Sequence, residues 1–294
     1  MNINIINIGG TNMKNRVITA FILIAILVPL IFIGGIPFLI GASLVLAISM
    51  HELLTVNKSQ IWVQIPAILM VLTSTIYAYF NLDNAFINFN VLSIVVPFFT
   101  FFTIAICDKN KTLMDACYNS LMTIVLSLFG VALVELRYTF NDMNLLLYPL
   151  ITTTAVDTFA LFIGCKFGKH KLNERISPKK SIEGAIGGAV CGLIIGTLFA
   201  ILFPINHDVT STFINIGWDP TFNIQYVLSV LLMTLVLTVV GQIGDLTFSM
   251  IKRHFQVKDF SNMLPGHGGF GDRIDSACFN VITVATLLSI FLIL

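Results

Sequence analysis

Long, uninterrupted apolar runs constrain this chain more than any other feature. They fall at about 16–34, 36–54, 61–81, 86–107, 117–139, 143–165, 182–205, 224–248 and 276–294. Each approaches the roughly 20 residues that a helix needs to cross a bilayer core. The runs are continuous and do not alternate with period two, which indicates membrane helices and not barrel strands. Hydrophobic residues make up 56% of the 294, with 25 Phe, and mean hydropathy is +0.92. A formal net charge of +1 gives no basic excess of the kind nucleic-acid binding requires. The expected fold is therefore all-α, a polytopic helical membrane protein of about nine transmembrane helices. Residues 1–142 are read as an N-terminal set of membrane helices. Residues 143–294 are read as a C-terminal set carrying two polar loops.

Charge placement predicts the orientation. With a cytosolic N-terminus, fifteen of the sixteen Lys and Arg residues fall in inside segments and only Arg137 falls outside. The connection at 206–223 carries Asp208 and Asp219 but no Lys or Arg, as an outer segment should. The first apolar run follows Lys14 and Arg16, like a signal peptide. It lacks a small-residue cleavage site and a second run follows at once, so a retained helix is expected. The five cysteines show no CxxC spacing, which leaves no sequence basis for a zinc site or a disulfide framework.

The polar chemistry is concentrated in two stretches. Residues 157–188 place six Lys/Arg between Lys166 and Lys180, then Ser177-Pro178-Lys179-Lys180-Ser181, then a glycine-rich helix start. Ser181 is a candidate N-cap, and a helix N-terminus preceded by lysines suits an anion. Gly184, Gly188, Gly192 and Gly196 recur every four residues, a ridge for close helix packing. Asp157 and Asp245 sit inside or at the ends of apolar runs, where a carboxylate costs about 2.5–3.5 kcal/mol on insertion scales. They are expected to face a polar interior or a metal.

The second stretch, 245–275, reads DLTFSMIKRHFQVKDFSNMLPGHGGFGDRID. Asp offers hard oxygen ligands, Lys and Arg neutralise phosphate oxygens, and glycines let backbone N–H groups approach them. Asp245, Ser249 and Lys252/Arg253 share one helix face, and Asp272, Asp275 and Ser276 repeat that arrangement at the start of the last helix. Two such carboxylates across a glycine-rich loop can hold a divalent ion. His267 remains open between ligand, phosphate donor and structural loop residue. Two spans separate the two stretches, so both emerge on the same side of the membrane.

From Ser249 to Asp275 the chain resembles the signature of phosphatidate cytidylyltransferases (CDP-diacylglycerol synthases). The match runs through Lys252-Arg253, Lys258-Asp259, Ser261, Leu264-Pro265, His267-Gly268-Gly269 and Asp272-Arg273. The SPKKS segment resembles that family's second polar block, which usually ends in Thr where this chain has Ser181. The chain departs from the pattern at Phe248, where a Glu is common, at Leu161 and at Cys165. The resemblance implies transfer of CMP from CTP to phosphatidic acid by a Mg²⁺-dependent enzyme, with a second cation left open. It further implies a homodimer in a bacterial cell membrane, with its active site facing the cytoplasm. Carried over, it makes Asp245 and Asp272 the metal ligands, with Asp157 a further candidate. Lys258, Asp259 and Arg273 join those two carboxylates as catalytic residues. Lys179, Lys180, Lys252 and Arg253 face phosphates, Ser177, Ser181 and Ser249 supply hydroxyls, and His267, Gly268 and Gly269 complete the substrate-binding set.

Two rival functions follow from the same residues. A CTP-dependent polyprenol kinase shares the hydropathy and the nucleotide but transfers the γ-phosphoryl group. A transporter of a phosphorylated solute should place polar or helix-breaking residues near the midplane of two related halves. The chain instead gathers its polar residues at one face of the C-terminal half and shows no convincing internal repeat.

Overall fold

The computed structural model describes residues 6–81, 85–138, 143–203, 205, 224–266 and 268–293. Among these are nine α-helices and one two-stranded hairpin. The helices are α1 (Ile6–Ile33), α2 (Gly35–Val56), α3 (Ile61–Phe80), α4 (Ala85–Cys107), α5 (Leu113–Tyr138), α6 (Met143–Phe167), α7 (Ile182–Leu202), α8 (Ile224–His254) and α9 (Gly271–Ile293). Six contain stretches long and apolar enough to cross a membrane: α2, α3, α5, α6, α7 and the Tyr226–His254 part of α8. Shorter apolar helical stretches lie at Phe21–Ile33 in α1 and Leu92–Cys107 in α4. The architecture is thus that of a helical polytopic membrane protein.

The hairpin departs from the all-α expectation. Strands β1 (Lys171–Asn173) and β2 (Ser177–Ser181) pair antiparallel, with Lys171 opposite Ser181 and Asn173 opposite Ser177. The Asn173 Oδ1 accepts a hydrogen bond from Ile176 N at 3.1 Å and closes the turn.

The helices group into two compact units. The first comprises Met1–Ile76, Ser93–Gly130 and Phe255–Ile274. Its core is built from Leu46, Met50, Leu53 and Leu54 of α2, Val63, Ala67 and Val71 of α3, and Met122 and Leu126 of α5, all fully buried or nearly so. Gly130 allows the close approach of α5, because a Cβ there would collide with Thr75 and Leu46. Polar bonds join the start of α5 to the end of α2 and the residues after it: Tyr118 OH donates to Leu53 O at 2.9 Å, and Asn57 Nδ2 and Ser59 Oγ donate to Asn119 Oδ1 at 3.1 and 3.3 Å.

The second unit comprises Tyr77–Leu92, Val131–His254 and Asp275–Leu294. Here the four-residue glycine spacing is realised as a packing ridge. Gly184, Gly188, Gly192 and Gly196 are buried along α7. Added Cβ atoms would meet Ala160 O, Val156 O, the Val156 side chain and the Thr152 hydroxyl of α6. Ser181 caps α7 as expected, accepting from Gly184 N at 3.1 Å. Side-chain bonds add to the apolar packing of this unit. Tyr148 OH and Thr234 Oγ1 lie 2.6 Å apart, and Asn280 Nδ2 donates to Thr153 Oγ1 at 2.6 Å.

Candidate active site

In the second unit, β2 and the ends of α6, α8 and α9 bring carboxylates and ammonium groups together. Lys180 Nζ pairs with Asp245 Oδ2, and Ser249 Oγ, one turn further along α8, lies 3.4 Å from Asp245 Oδ1. Ser276 Oγ donates to Asp157 Oδ2 at 2.9 Å and also lies 3.3 Å from Asp275 Oδ1. Asp275 Oδ2 in turn lies 3.8 Å from Lys252 Nζ, with both side chains largely buried. Burial pushes the Lys180 pKa below the usual lysine value. The Asp157 and Asp275 carboxylates oppose that shift, and the Lys252 charge adds to it. Three carboxylates and two lysines therefore form one mutually interacting set.

The hairpin explains why only one of two adjacent lysines joins this set. Successive strand residues point to opposite faces, so Lys179 is exposed while Lys180 turns inward. The preceding Ser177 is half-buried in β2. Arg253 is exposed at the end of α8, where its Nε donates to Ile176 O at 3.2 Å and ties the helix end to the hairpin turn.

In the first unit, the 255–270 segment and the start of α9 form a compact loop. Leu264 N donates to Gly268 O at 2.8 Å across a tight turn. Gly266 and Gly268 have φ of 77° and 79°, a region that L side chains seldom adopt. At Gly268 a Cβ would also press to 2.9 Å from Asp272 Oδ2. Asp272, only 6% exposed, accepts from Phe260 N at 2.8 Å and from Gly269 N at 3.0 Å through that same oxygen. The expected ligand is thus also the organiser of the glycine-rich turn. Lys258, Asp259, Asn262, Leu264, Pro265, Gly266, Gly268 and Arg273 line a cavity of about 560 Å³. His267 lies outside the described residues.

Of the residues singled out in the sequence, Asp157, Asp245, Lys180, Ser249 and Lys252 gather in the second unit. Asp259, Lys258, Gly268, Gly269, Asp272 and Arg273 gather in the first. The sequence named Asp275 and Ser276 on a helix face but assigned them no role, although they join Asp157 to Lys252. It gave no role at all to Glu52, which is 2% exposed in α2. The available signal was a lone carboxylate near the end of an apolar run.

Mg²⁺ is the metal that the resemblance implies, and the donor chemistry fits it. Among the described residues no group of three or more His, Cys, Asp or Glu side chains is placed to hold one metal ion. A site with one or two carboxylates suits Mg²⁺, which keeps several waters and takes substrate phosphates as ligands, better than it suits Zn²⁺ or Ca²⁺. Asp272 is oriented by its two backbone bonds as ligating carboxylates commonly are.

A helical membrane frame carrying buried carboxylate–lysine chemistry and a cationic glycine-rich loop defines a membrane enzyme that handles phosphate groups. The chain belongs to the cytidylyltransferase family, whose model matches residues 14–291. It is 35% identical over 284 residues to the phosphatidate cytidylyltransferase of Staphylococcus haemolyticus, covering 96% of this chain and 99% of that protein. Proteins with the same name from Staphylococcus saprophyticus and Staphylococcus aureus strain COL are 33% and 32% identical, over 284 and 289 residues. Each comparison again covers 96% of this chain and 99% of the relative. The chain is accordingly a nucleotidyltransferase.

Proposed function

We infer that this chain transfers CMP from CTP to phosphatidic acid, forming CDP-diacylglycerol and pyrophosphate for phospholipid synthesis. The single observation that carries this reading is full-length similarity to proteins named for that reaction, with the polar signature present from Ser249 to Asp275. A phosphate oxygen of the lipid attacks the α-phosphorus of CTP. The bond from that phosphorus to the bridging oxygen breaks, and pyrophosphate leaves. A lipid phosphomonoester is largely ionised at pH 7, its second pKa lying near ~6 by comparison with phosphoserine, so the attacking oxygen needs no strong base. It needs charge neutralisation and alignment, which lysines, arginines and oriented backbone N–H groups provide.

The resemblance points to Asp245 and to Asp272 as carboxylates that would ligate Mg²⁺, with Asp157 a further candidate. When bound, the ion neutralises charge on the triphosphate. Lys180 orients Asp245 and Lys252 faces Asp275, while Lys258 and Arg273 offer cationic groups to phosphates in the loop cavity. The proposed setting is a bacterial cell membrane, with the site facing the cytoplasm, where CTP is found. A homodimer is proposed with it.

Lys180→Ala should insert normally and lose at least tenfold in turnover, about 1.4 kcal/mol of transition-state stabilisation. The lowered Lys180 pKa gives this prediction a sign with pH. The ammonium loses its proton as pH rises, so wild-type turnover should decline at a pH below the usual lysine range. Lys180→Arg stays charged and should retain its own, lower rate across that interval. A pH–rate series on the three proteins reads both effects, and an Ala variant with normal kinetics would demote Lys180 to an anchoring charge.

The orientation is tested by labelling in a background freed of native cysteines. Lys171→Cys should react only with membrane-permeant thiol reagents in intact cells, and Asp208→Cys with impermeant ones. The opposite pattern would invert the proposed topology.

A further inference from the structure

The last helix starts in a way that its own sequence does not account for. The residue preceding α9 is Phe270, which has no side-chain oxygen to accept from the first helical N–H groups. The acceptor comes from α2. Glu52 Oε2 accepts from Gly271 N at 2.8 Å, and Glu52 Oε1 accepts from Ser261 Oγ at 2.6 Å. The carboxylate also lies against Gly269, where an added Cβ would come within 2.7 Å of Glu52 Cδ. Ser261 Oγ in turn accepts from Met263 N at 3.2 Å. One buried carboxylate thus holds both ends of the glycine-rich turn, at Ser261 and at Gly271. A third bond reaches the turn from α1, where Thr19 Oγ1 donates to Pro265 O at 3.1 Å. The negative charge is also placed at the positive end of the α9 dipole, where it is favourable.

We propose that Glu52 is the positioning residue of the substrate-binding loop: its carboxylate fixes the turn between Ser261 and Gly271. Through that turn it fixes the cavity lined by Lys258, Asp259, Asn262 and Arg273. The proposal rests on the cytidylyltransferase reading of that loop and gives the N-terminal helices a specific role. Asp272 orders the loop from within, and Glu52 orders it from outside. Its removal leaves two donors without their acceptor in a buried corner, which loosens the turn and the cationic groups that it presents.

The test uses the purified full-length protein in lipid-containing detergent micelles, with CTP, phosphatidate and Mg²⁺. Glu52→Ala should raise KM for at least one substrate about tenfold or more, with kcat changed less, since a loosened loop weakens ground-state and transition-state binding together. A purely architectural role would reduce the amount of active enzyme, lowering kcat at unchanged KM. Glu52→Gln should restore most of the affinity, because its carbonyl can accept from Gly271 N and its amide can donate to Ser261 Oγ. Ser261→Ala should reproduce part of the defect, and combining it with Glu52→Ala should add little. Limited trypsin digestion, which needs no substrate, should cut Glu52→Ala after Lys258 at least tenfold faster than wild type. If Glu52→Ala does not fold, Ser261→Ala, which removes one of the two Glu52 bonds, carries the same comparison. Unchanged KM for both substrates together with wild-type protection at Lys258 would overturn the proposal. A wild-type protein that makes no CDP-lipid would instead overturn the reaction, and the trypsin comparison would still decide the role of Glu52.

Discussion

Asp245→Asn should yield a folded, membrane-embedded protein that makes CDP-lipid at least about a thousandfold more slowly than wild type, a loss near 4 kcal/mol. Asp245 pairs with Lys180 and lies beside Ser249 within a set of three carboxylates and two lysines. That set has a formal charge of −1, which attracts a divalent cation, and the substitution brings it to zero. Asn fills the same space and keeps one acceptor oxygen, so the helices around it need not repack. The checks are turnover across a Mg²⁺ titration and a thermal unfolding midpoint in detergent. Near-normal turnover with unchanged Mg²⁺ dependence would remove Asp245 from the site.

Asp272 should separate two roles that the sequence could not distinguish. Its Oδ2 satisfies Phe260 N and Gly269 N in a buried position. Asp272→Ala leaves both N–H groups without that acceptor, at about 1–3 kcal/mol each, and should lose both loop order and activity. Asp272→Asn can still accept from the loop through its carbonyl oxygen but carries no charge. It should keep the wild-type trypsin pattern at Lys258 and lose turnover as severely as Asp245→Asn. If Asp245 and Asp272 act on one ion, the double Asn variant should be little worse than either single one, because coupled catalytic groups are not additive. Raised Mg²⁺ should recover a little activity in the single variants and none in the double. An active Asp272→Asn alongside a disordered Asp272→Ala would assign this carboxylate to the loop alone.

Much of the frame was legible because hydrocarbon leaves the backbone few choices. Each apolar run from 36–54 to 224–248 coincides with a helix to within several residues. The Ser181 cap and the Gly184–Gly196 ridge followed from local chemistry, since both depend on neighbours three or four positions away. Polar helix ends were harder to bound. Helix α8 continues to His254 and α9 begins at Gly271, beyond the apolar limits expected at 248 and 276, because polar side chains such as Lys252, Asp272 and Asp275 find partners within the fold and so extend the helices past the hydrocarbon runs. The 171–181 hairpin was missed because three- and five-residue strands are too short to show an alternation, and Pro178 read as loop punctuation.

The site was legible as an inventory and not as a set of partnerships. Asp157, Asp245, Lys180 and Lys252 could be named from the sequence, but nothing there shows that Ser276 bonds to Asp157 across 119 positions. Nor does it show that Glu52 reaches Ser261 across 209. Both contacts depend on tertiary folding, and only the cost of a buried carboxylate marks Glu52 as a residue in search of partners. The adjacent residues Lys179 and Lys180 make the same point at short range. They are chemically identical, and only the strand's alternation sends one outward and the other to Asp245.

The most direct measurement is a product analysis with purified protein, phosphatidate-containing micelles, Mg²⁺ and CTP labelled separately in the cytidine and in the γ-phosphate. The cytidine label should move into a lipid product and the γ label into pyrophosphate, in equal amounts, with at most about a thousandth of that transfer in Asp245→Asn. Transfer of the γ label to lipid with release of CDP would identify a kinase and contradict the assignment, as would the absence of any labelled lipid from the wild-type protein.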